Sequence, residues 1–199
     1  MKKLPSTLPN MLIVLTLISV IAAGALAYVN KITAGPIEEN KARTLAEGIN
    51  SVLGVTDAQV QETKTVQDAN GNDVIIYATD KGVAVQAIDP NGFGGKLSVL
   101  VGFDDEGAIK GYTVLEHAET PGLGAKASLW FQKGEKGDII GKSPSEPLTV
   151  SKDGGKVDAI TASTITSRAF LLAVNNAYNA YKASPSVDAE SGASKQVKE

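Results

Sequence analysis

The chain has 199 residues, enough for one ordinary domain with appendages, and its 43% hydrophobic and 21% charged residues are the balance of a protein with a buried core. A net charge of -3 provides no basic surface on which a nucleic-acid backbone would condense, so nucleic acid is set aside as a partner. With no cysteine and a single histidine, His117, the chain cannot build a disulfide framework, a thiolate metal site, an iron–sulfur cluster or a bis-histidine haem within one copy, and any redox chemistry must come from another bound cofactor.

Lys2 and Lys3 precede an uncharged stretch from Leu4 to Asn30 whose heart, Met11 to Val29, is almost wholly apolar. As a helix that heart would be about 28 Å long, close to the hydrocarbon thickness of a bilayer. A buried globular helix would need apolar surface on every side, which the rest of the chain does not offer. Residues 1–30 are therefore expected to be a transmembrane anchor, with the two lysines favouring an N-terminus inside and Lys31, Lys41 and Arg43 softening that bias. Ala25-Leu26-Ala27 also fits a signal-peptide cleavage pattern, although the apolar run is longer than such signals need. Either reading exports residues 31–182 as an extracytoplasmic domain and leaves 183–199 as a polar tail with the composition of a disordered segment.

After Gly35-Pro36, the residues Ile37, Leu45, Ile49, Val52 and Leu53 recur near helical spacing with charges between them, which predicts an amphipathic helix. Asp68 to Asp73 is turn chemistry, and strands are expected on either side of it. Val74–Thr79, Val83–Ile88, Leu97–Phe103 and Ile109–Leu115 are β-rich runs separated by Gly, Asn and Asp, the spacing of an antiparallel meander. Ala125–Gln132 reads as a short helix, Lys133–Pro147 as a surface loop, and Leu148–Ser151 as a possible return to the sheet. From Ala169 the stripe Ala169, Phe170, Ala173, Val174, Ala177, Tyr178, Tyr181 predicts a closing helix packed on that sheet. The expected fold is α+β: an antiparallel sheet packed against helices, behind a single membrane span.

Two segments stand out chemically. Asp158-Ala159-Ile160-Thr161-Ala162-Ser163-Thr164-Ile165-Thr166-Ser167 gathers small and hydroxyl residues just ahead of the closing helix. The unpaired N–H groups and partial positive charge of a helix N-terminus suit a phosphate there. Plain N-capping by Thr166 or Ser167, with nothing bound, explains the same composition. The second segment, His117-Ala118-Glu119-Thr120-Pro121-Gly122-Leu123-Gly124, centres on Pro121-Gly122, which dictates a tight turn. His117 reads as a structural neighbour of that turn, and Trp130 and Phe131 as core or interface aromatics.

Together these residues resemble the FMN-binding subunits of the Rnf electron transport complex and of the sodium-pumping NADH:quinone reductase. That family's signature is an Asp, two residues, a Ser or Thr, two small residues and a Thr, then a further Ser or Thr after one residue. Here it reads Asp158, Thr161, Ala162, Ser163, Thr164, Thr166, and the second segment matches the family's His-x-Glu-Thr-Pro-Gly-Leu-Gly. The family usually has Gly-Ala where this chain has Ala162-Ser163, which adds a hydroxyl beside the acceptor.

The resemblance implies FMN joined through its phosphate to Thr164 by a flavin transferase that uses FAD and recognises Asp158. It further implies that Thr161, Ala162, Ser163, Thr166, Ser167, Glu119, Thr120, Leu123 and Gly124 surround the cofactor, with Leu123 covering the ring and Thr120 at a polar edge. The implied role is non-catalytic: a component of a ferredoxin:NAD-type, ion-translocating complex that relays single electrons between redox subunits. It would sit in a bacterial inner membrane with the FMN domain on the periplasmic side. Compact length brings the chain nearer the Rnf G subunit than the longer C subunit of the quinone reductase. A cofactor-free anchored adaptor, in which the hydroxyl cluster only caps a helix, and a cleaved soluble flavoprotein are the competing readings.

Overall fold

A computed structural model describes residues 7–184; Lys2, Lys3 and most of the polar tail lie outside the described residues. The chain divides into two compact units between Thr44 and Leu45. Helix α1 (Leu8–Leu53) contributes to both. In the first unit its apolar side chains are open: Leu12, Ile18 and Ile21 are each about 60% exposed, as suits a segment solvated by lipid. Among the described residues this is the one helix long and apolar enough to cross a membrane.

The second unit is built on a five-stranded antiparallel sheet with the spatial order of the chain: β1 (Val60–Gln67), β2 (Asp73–Thr79), β3 (Gly82–Gly92), β4 (Gly95–Phe103) and β5 (Ile109–His117). Each connection is a short hairpin whose turn carries a glycine at positive φ, such as Gly71 at 79° and Gly107 at 79°. β1 is an exposed edge carrying Glu62 and Lys64, charges that discourage pairing with another chain.

Alternation along the strands sends side chains to two separate cores. On one face Val74, Ile76, Val85, Ala87, Leu97, Val99, Val101 and Phe103 meet helix α3 (Thr164–Lys182), which buries Phe170, Ala173, Val174, Ala177 and Tyr178. On the other face Tyr77, Ala84 and Leu100 meet Ile49, Val52 and Leu53 from the end of α1. The predicted meander and the amphipathic C-terminal part of α1 are thus both present. At Gly102 the helix comes so near that a Cβ would lie 2.4 Å from the Val52 carbonyl oxygen.

Two expectations are corrected. Leu148–Ser151 does not return to the sheet; Val150 makes one isolated parallel bridge with Val157. The expected strand instead lodges Val150 in the α3-side core, beside its bridge partner Val157. The closing helix begins at Thr164 rather than Ala169, so Thr164, Thr166 and Ser167 form its first turn while Thr161 to Ser163 precede it. Between β5 and α3 lie the short helix α2 (Ala127–Trp130), inside the predicted range, and a loop anchored by buried Ile139. Phe131 is a core residue stacked on Phe170 at 4.3 Å, and both Tyr112 and α2 are tied to it: Tyr112 Oη accepts from Phe131 N and donates to Ala127 O. Burial drives the Tyr112 phenol well above its ordinary range.

Candidate functional site

The approach to α3 is a tight reversal. Ser163 N donates to Ile160 O at 3.0 Å, and Ala162 between them takes φ 60°, the one described non-glycine residue at positive φ. Ser163 occupies the N-cap position without a side-chain capping bond. Thr166 and Ser167 do not cap the helix either, because both are fully buried in its first turn. The Ser167 hydroxyl donates to Ser163 O at 2.9 Å and accepts from Ile160 N at 2.9 Å, closing the reversal from inside. The outside is left to Thr161 and Ala162, both exposed, and to half-buried Thr164.

Glu119 binds this turn to the rest of the domain. It is buried, its Oε2 accepts from Thr166 Oγ1 at 2.8 Å, and its Oε1 accepts from Gly94 N at 3.2 Å. Gly124 completes the junction: a Cβ there would fall 2.2 Å from Glu119 Oε2 and 2.7 Å from Thr166 Oγ1, so only glycine lets the loop close. Gly122, at φ 78°, supplies the expected turn, with Leu123 N donating to Thr120 O at 3.1 Å. The structure therefore brings Glu119, Gly124 and Thr166 into direct contact. It leaves Thr120 and Leu123 exposed on the adjoining loop, while His117 is exposed and accepts from Glu119 N through Nδ1.

A third element was not visible in the sequence. The short 3-10 turn Ser151–Asp153 reaches the α3 start with three consecutive side chains. Ser151 Oγ donates to Asp158 Oδ1 at 3.3 Å, Lys152 Nζ donates to Thr164 Oγ1 at 3.0 Å, and Asp153 forms a two-pronged ion pair with Arg168 at 2.6 and 2.7 Å. The Arg168 hydrogen bond holds the Asp153 carboxyl below the ordinary carboxylate range, and Asp153 in turn holds the guanidinium protonated. Asp158 is exposed, its main-chain oxygen accepting from Trp130 Nε1. Lys152 and Asp153 lie 12 and 15 residues from their partners with no periodicity to advertise them; an Asp and an Arg flanking the hydroxyl cluster were the available signal.

On the other side of the first turn, Ile165, Arg168, Ala169 and Leu172 line a cleft of about 260 Å³ with Asp89 and Asn91. A half-exposed threonine hydroxyl at a helix N-terminus, with an ammonium on its oxygen, is chemistry that suits an esterified phosphate.

Comparison with known proteins identifies the domain. Residues 92–179, which contain Glu119, the glycine turn, the Ser151–Asp153 turn and the start of α3, match the FMN-binding domain family. The chain is similar to the G subunit of the ion-translocating oxidoreductase complex of Shewanella baltica, 32% identical over 82% of this chain and 84% of the relative. It is likewise similar to the G subunit of the Na(+)-translocating ferredoxin:NAD(+) oxidoreductase complex of Acetobacterium woodii, 34% identical over 85% of this chain and 89% of the relative. With a membrane-length apolar helix ahead of a domain of this type, the chain belongs to the family of G subunits of ion-translocating oxidoreductase complexes and carries their FMN-binding domain.

Proposed function

We propose that this protein carries FMN bonded through its phosphate to Thr164 and relays single electrons between neighbouring redox subunits of its complex. The observation that supports this most directly is the state of the Thr164 hydroxyl. It is half-buried at the first position of a 19-residue helix, two residues after exposed Thr161 and Ala162, and its oxygen accepts from an ammonium. The neighbouring hydroxyls are engaged internally: Thr166 donates to Glu119 and Ser167 to Ser163. Among the hydroxyls of the first turn of α3, Thr164 is thus the one best placed to meet an attaching enzyme.

Roles divide accordingly. Thr161, Ala162 and Ser163 shape the approach to the acceptor, and Thr166, Ser167, Glu119 and Gly124 hold it in place. Thr120 and Leu123, on the exposed side of the glycine turn, face the cofactor, with Leu123 covering a ring face. Asp158 is presented to the flavin transferase. FMN supplies one-electron redox chemistry, and the protein supplies tether, orientation and surroundings. A permanent bond removes the dissociation equilibrium, which matters on the periplasmic side of a bacterial inner membrane, where this reading places the domain. The relative from Acetobacterium woodii is named for ferredoxin and NAD(+), and electron flow between those carriers is the exchange we assign to the complex.

Co-expression of the full chain with a flavin transferase, followed by denaturing electrophoresis under ultraviolet light, tests this. A fluorescent band is expected for the wild type and none for Thr164→Ala. Stability should change by no more than about 1 kcal/mol, because the site is not in the core. A wild-type chain with only its bare polypeptide mass would return the cluster to a purely structural role.

A further inference from the structure

Among the described residues, the group that hydrogen-bonds the Thr164 hydroxyl oxygen is the Lys152 ammonium, and the proposed function gives it no task. A lysine ammonium has three donors and no acceptor, so in the 3.0 Å contact Lys152 Nζ donates and Thr164 Oγ1 accepts. The threonine proton therefore points elsewhere, and one oxygen lone pair remains for attack. The charges nearby are already arranged: Arg168, one turn along α3, is neutralised by its two-pronged pair with Asp153, and Asp158 receives the Ser151 hydroxyl. Lys152 is left as the cation whose charge falls on the acceptor.

The geometry points to Lys152 as a phosphate-positioning residue that holds the Thr164 oxygen for flavin transfer and then lies against the phosphodiester formed there. This rests on the reading of Thr164 as the attachment site. In the transfer, Thr164 Oγ bonds to the flavin-side phosphorus of a flavin adenine dinucleotide, the pyrophosphate P–O bond breaks, adenosine monophosphate leaves, and the threonine proton is released. An ammonium already on the oxygen stabilises the negative charge that develops as the proton departs. The product carries one negative charge at the same place, so the same ammonium serves both states without rearrangement. Asp153 and Ser151 fix the turn on either side of Lys152, so its Nζ is delivered by a braced turn rather than by a free side chain.

The test is a time course of covalent flavin incorporation into the full chain, co-expressed with a flavin transferase and read by in-gel fluorescence and intact mass. Lys152→Gln should lower the initial rate about tenfold or more, as expected for one charge-assisted hydrogen bond to the reacting atom. Lys152→Arg, which keeps the charge, should recover about half the rate or more. Lys156→Gln, an exposed lysine in the same segment, should leave it unchanged. Once loaded, Lys152→Gln should also move the phosphodiester 31P resonance relative to wild type, a change that a merely structural role would not produce. Incorporation by Lys152→Gln at the wild-type rate, equal slowing by Lys156→Gln, or an unmoved resonance would overturn the assignment and leave Thr164 attachment standing. A wild-type chain that takes up no flavin would remove both.

Discussion

Ala162 holds φ 60°, a left-handed conformation that costs an L-residue with a Cβ roughly 1 kcal/mol more than glycine. An alanine is thus held in a backbone conformation that favours glycine by the Ile160–Ser163 and Ser167–Ser163 hydrogen bonds. Ala162→Gly should raise stability by about 0.5 to 1 kcal/mol, seen as a higher midpoint in thermal or urea unfolding. A lower midpoint would mean that the methyl group makes a contact that matters. The opposite sign is expected at Glu119. Glu119→Ala removes the partner of both Thr166 Oγ1 and Gly94 N, and each group left unpaired costs about 1 to 3 kcal/mol. That variant should unfold earlier and also lose flavin incorporation, because the turn that presents Thr164 loses its brace. The sequence singled out Glu119 and Thr166 separately as cofactor neighbours by resemblance; their mutual bond was not legible, since 47 residues separate them and only the closed fold brings them together.

Among the elements, α3 and the sheet carry the domain, and the turn between β1 and β2 links them. Burial pushes the Asp68 carboxyl upward, but bonds from the Asn72 side chain and from the Asn72, Asn70 and Gly71 backbone outweigh it, leaving its pKa below the ordinary 3.8. Asn176 of α3 donates to the same carboxylate at 2.6 Å. A depressed folded-state pKa contributes stability that is present above pH 3.8 and is lost as the pH falls through the lower folded value. Asp68→Asn should therefore be destabilised at neutral pH, and its thermal midpoint should converge on the wild type's as the solution is acidified below 3.8. A difference that persists at low pH would assign the loss to shape rather than charge. On the opposite face, Gly102→Ala would drive a Cβ into the Val52 carbonyl and should cost about 1 to 3 kcal/mol as the end of α1 is pushed off the sheet. The meander was readable because its pairings are local and its alternation regular. The start of α3 was not: Thr164, Thr166 and Ser167 are weak helix formers whose place in the helix is set by Glu119 and Ser163, which no window of the sequence contains together.

For the molecule as a whole, the first unit and the domain answer to different solvents. The core strands place their apolar side chains against α1 or α3, whereas Leu12, Leu15, Ile18 and Ile21 of α1 are open, and a helix this apolar is unstable in water without lipid or detergent around it. Charge at its centre tests whether that surface holds the chain in a bilayer. An arginine at mid-membrane costs about 2.5 to 3.5 kcal/mol on an insertion scale, so Ile18→Arg with Ile21→Arg should remove several kcal/mol of insertion energy. The wild type should remain in the pellet after alkaline carbonate extraction, and the doubly substituted chain should move to the supernatant or fail to accumulate. A wild-type chain found in the supernatant, with an N-terminus beginning just after Ala27, would identify the apolar segment as a removed signal. The FMN domain would then be held in its complex by its neighbours alone. Retention in the pellet with the segment intact makes the anchor part of the working protein, because it tethers the FMN-binding domain to the membrane.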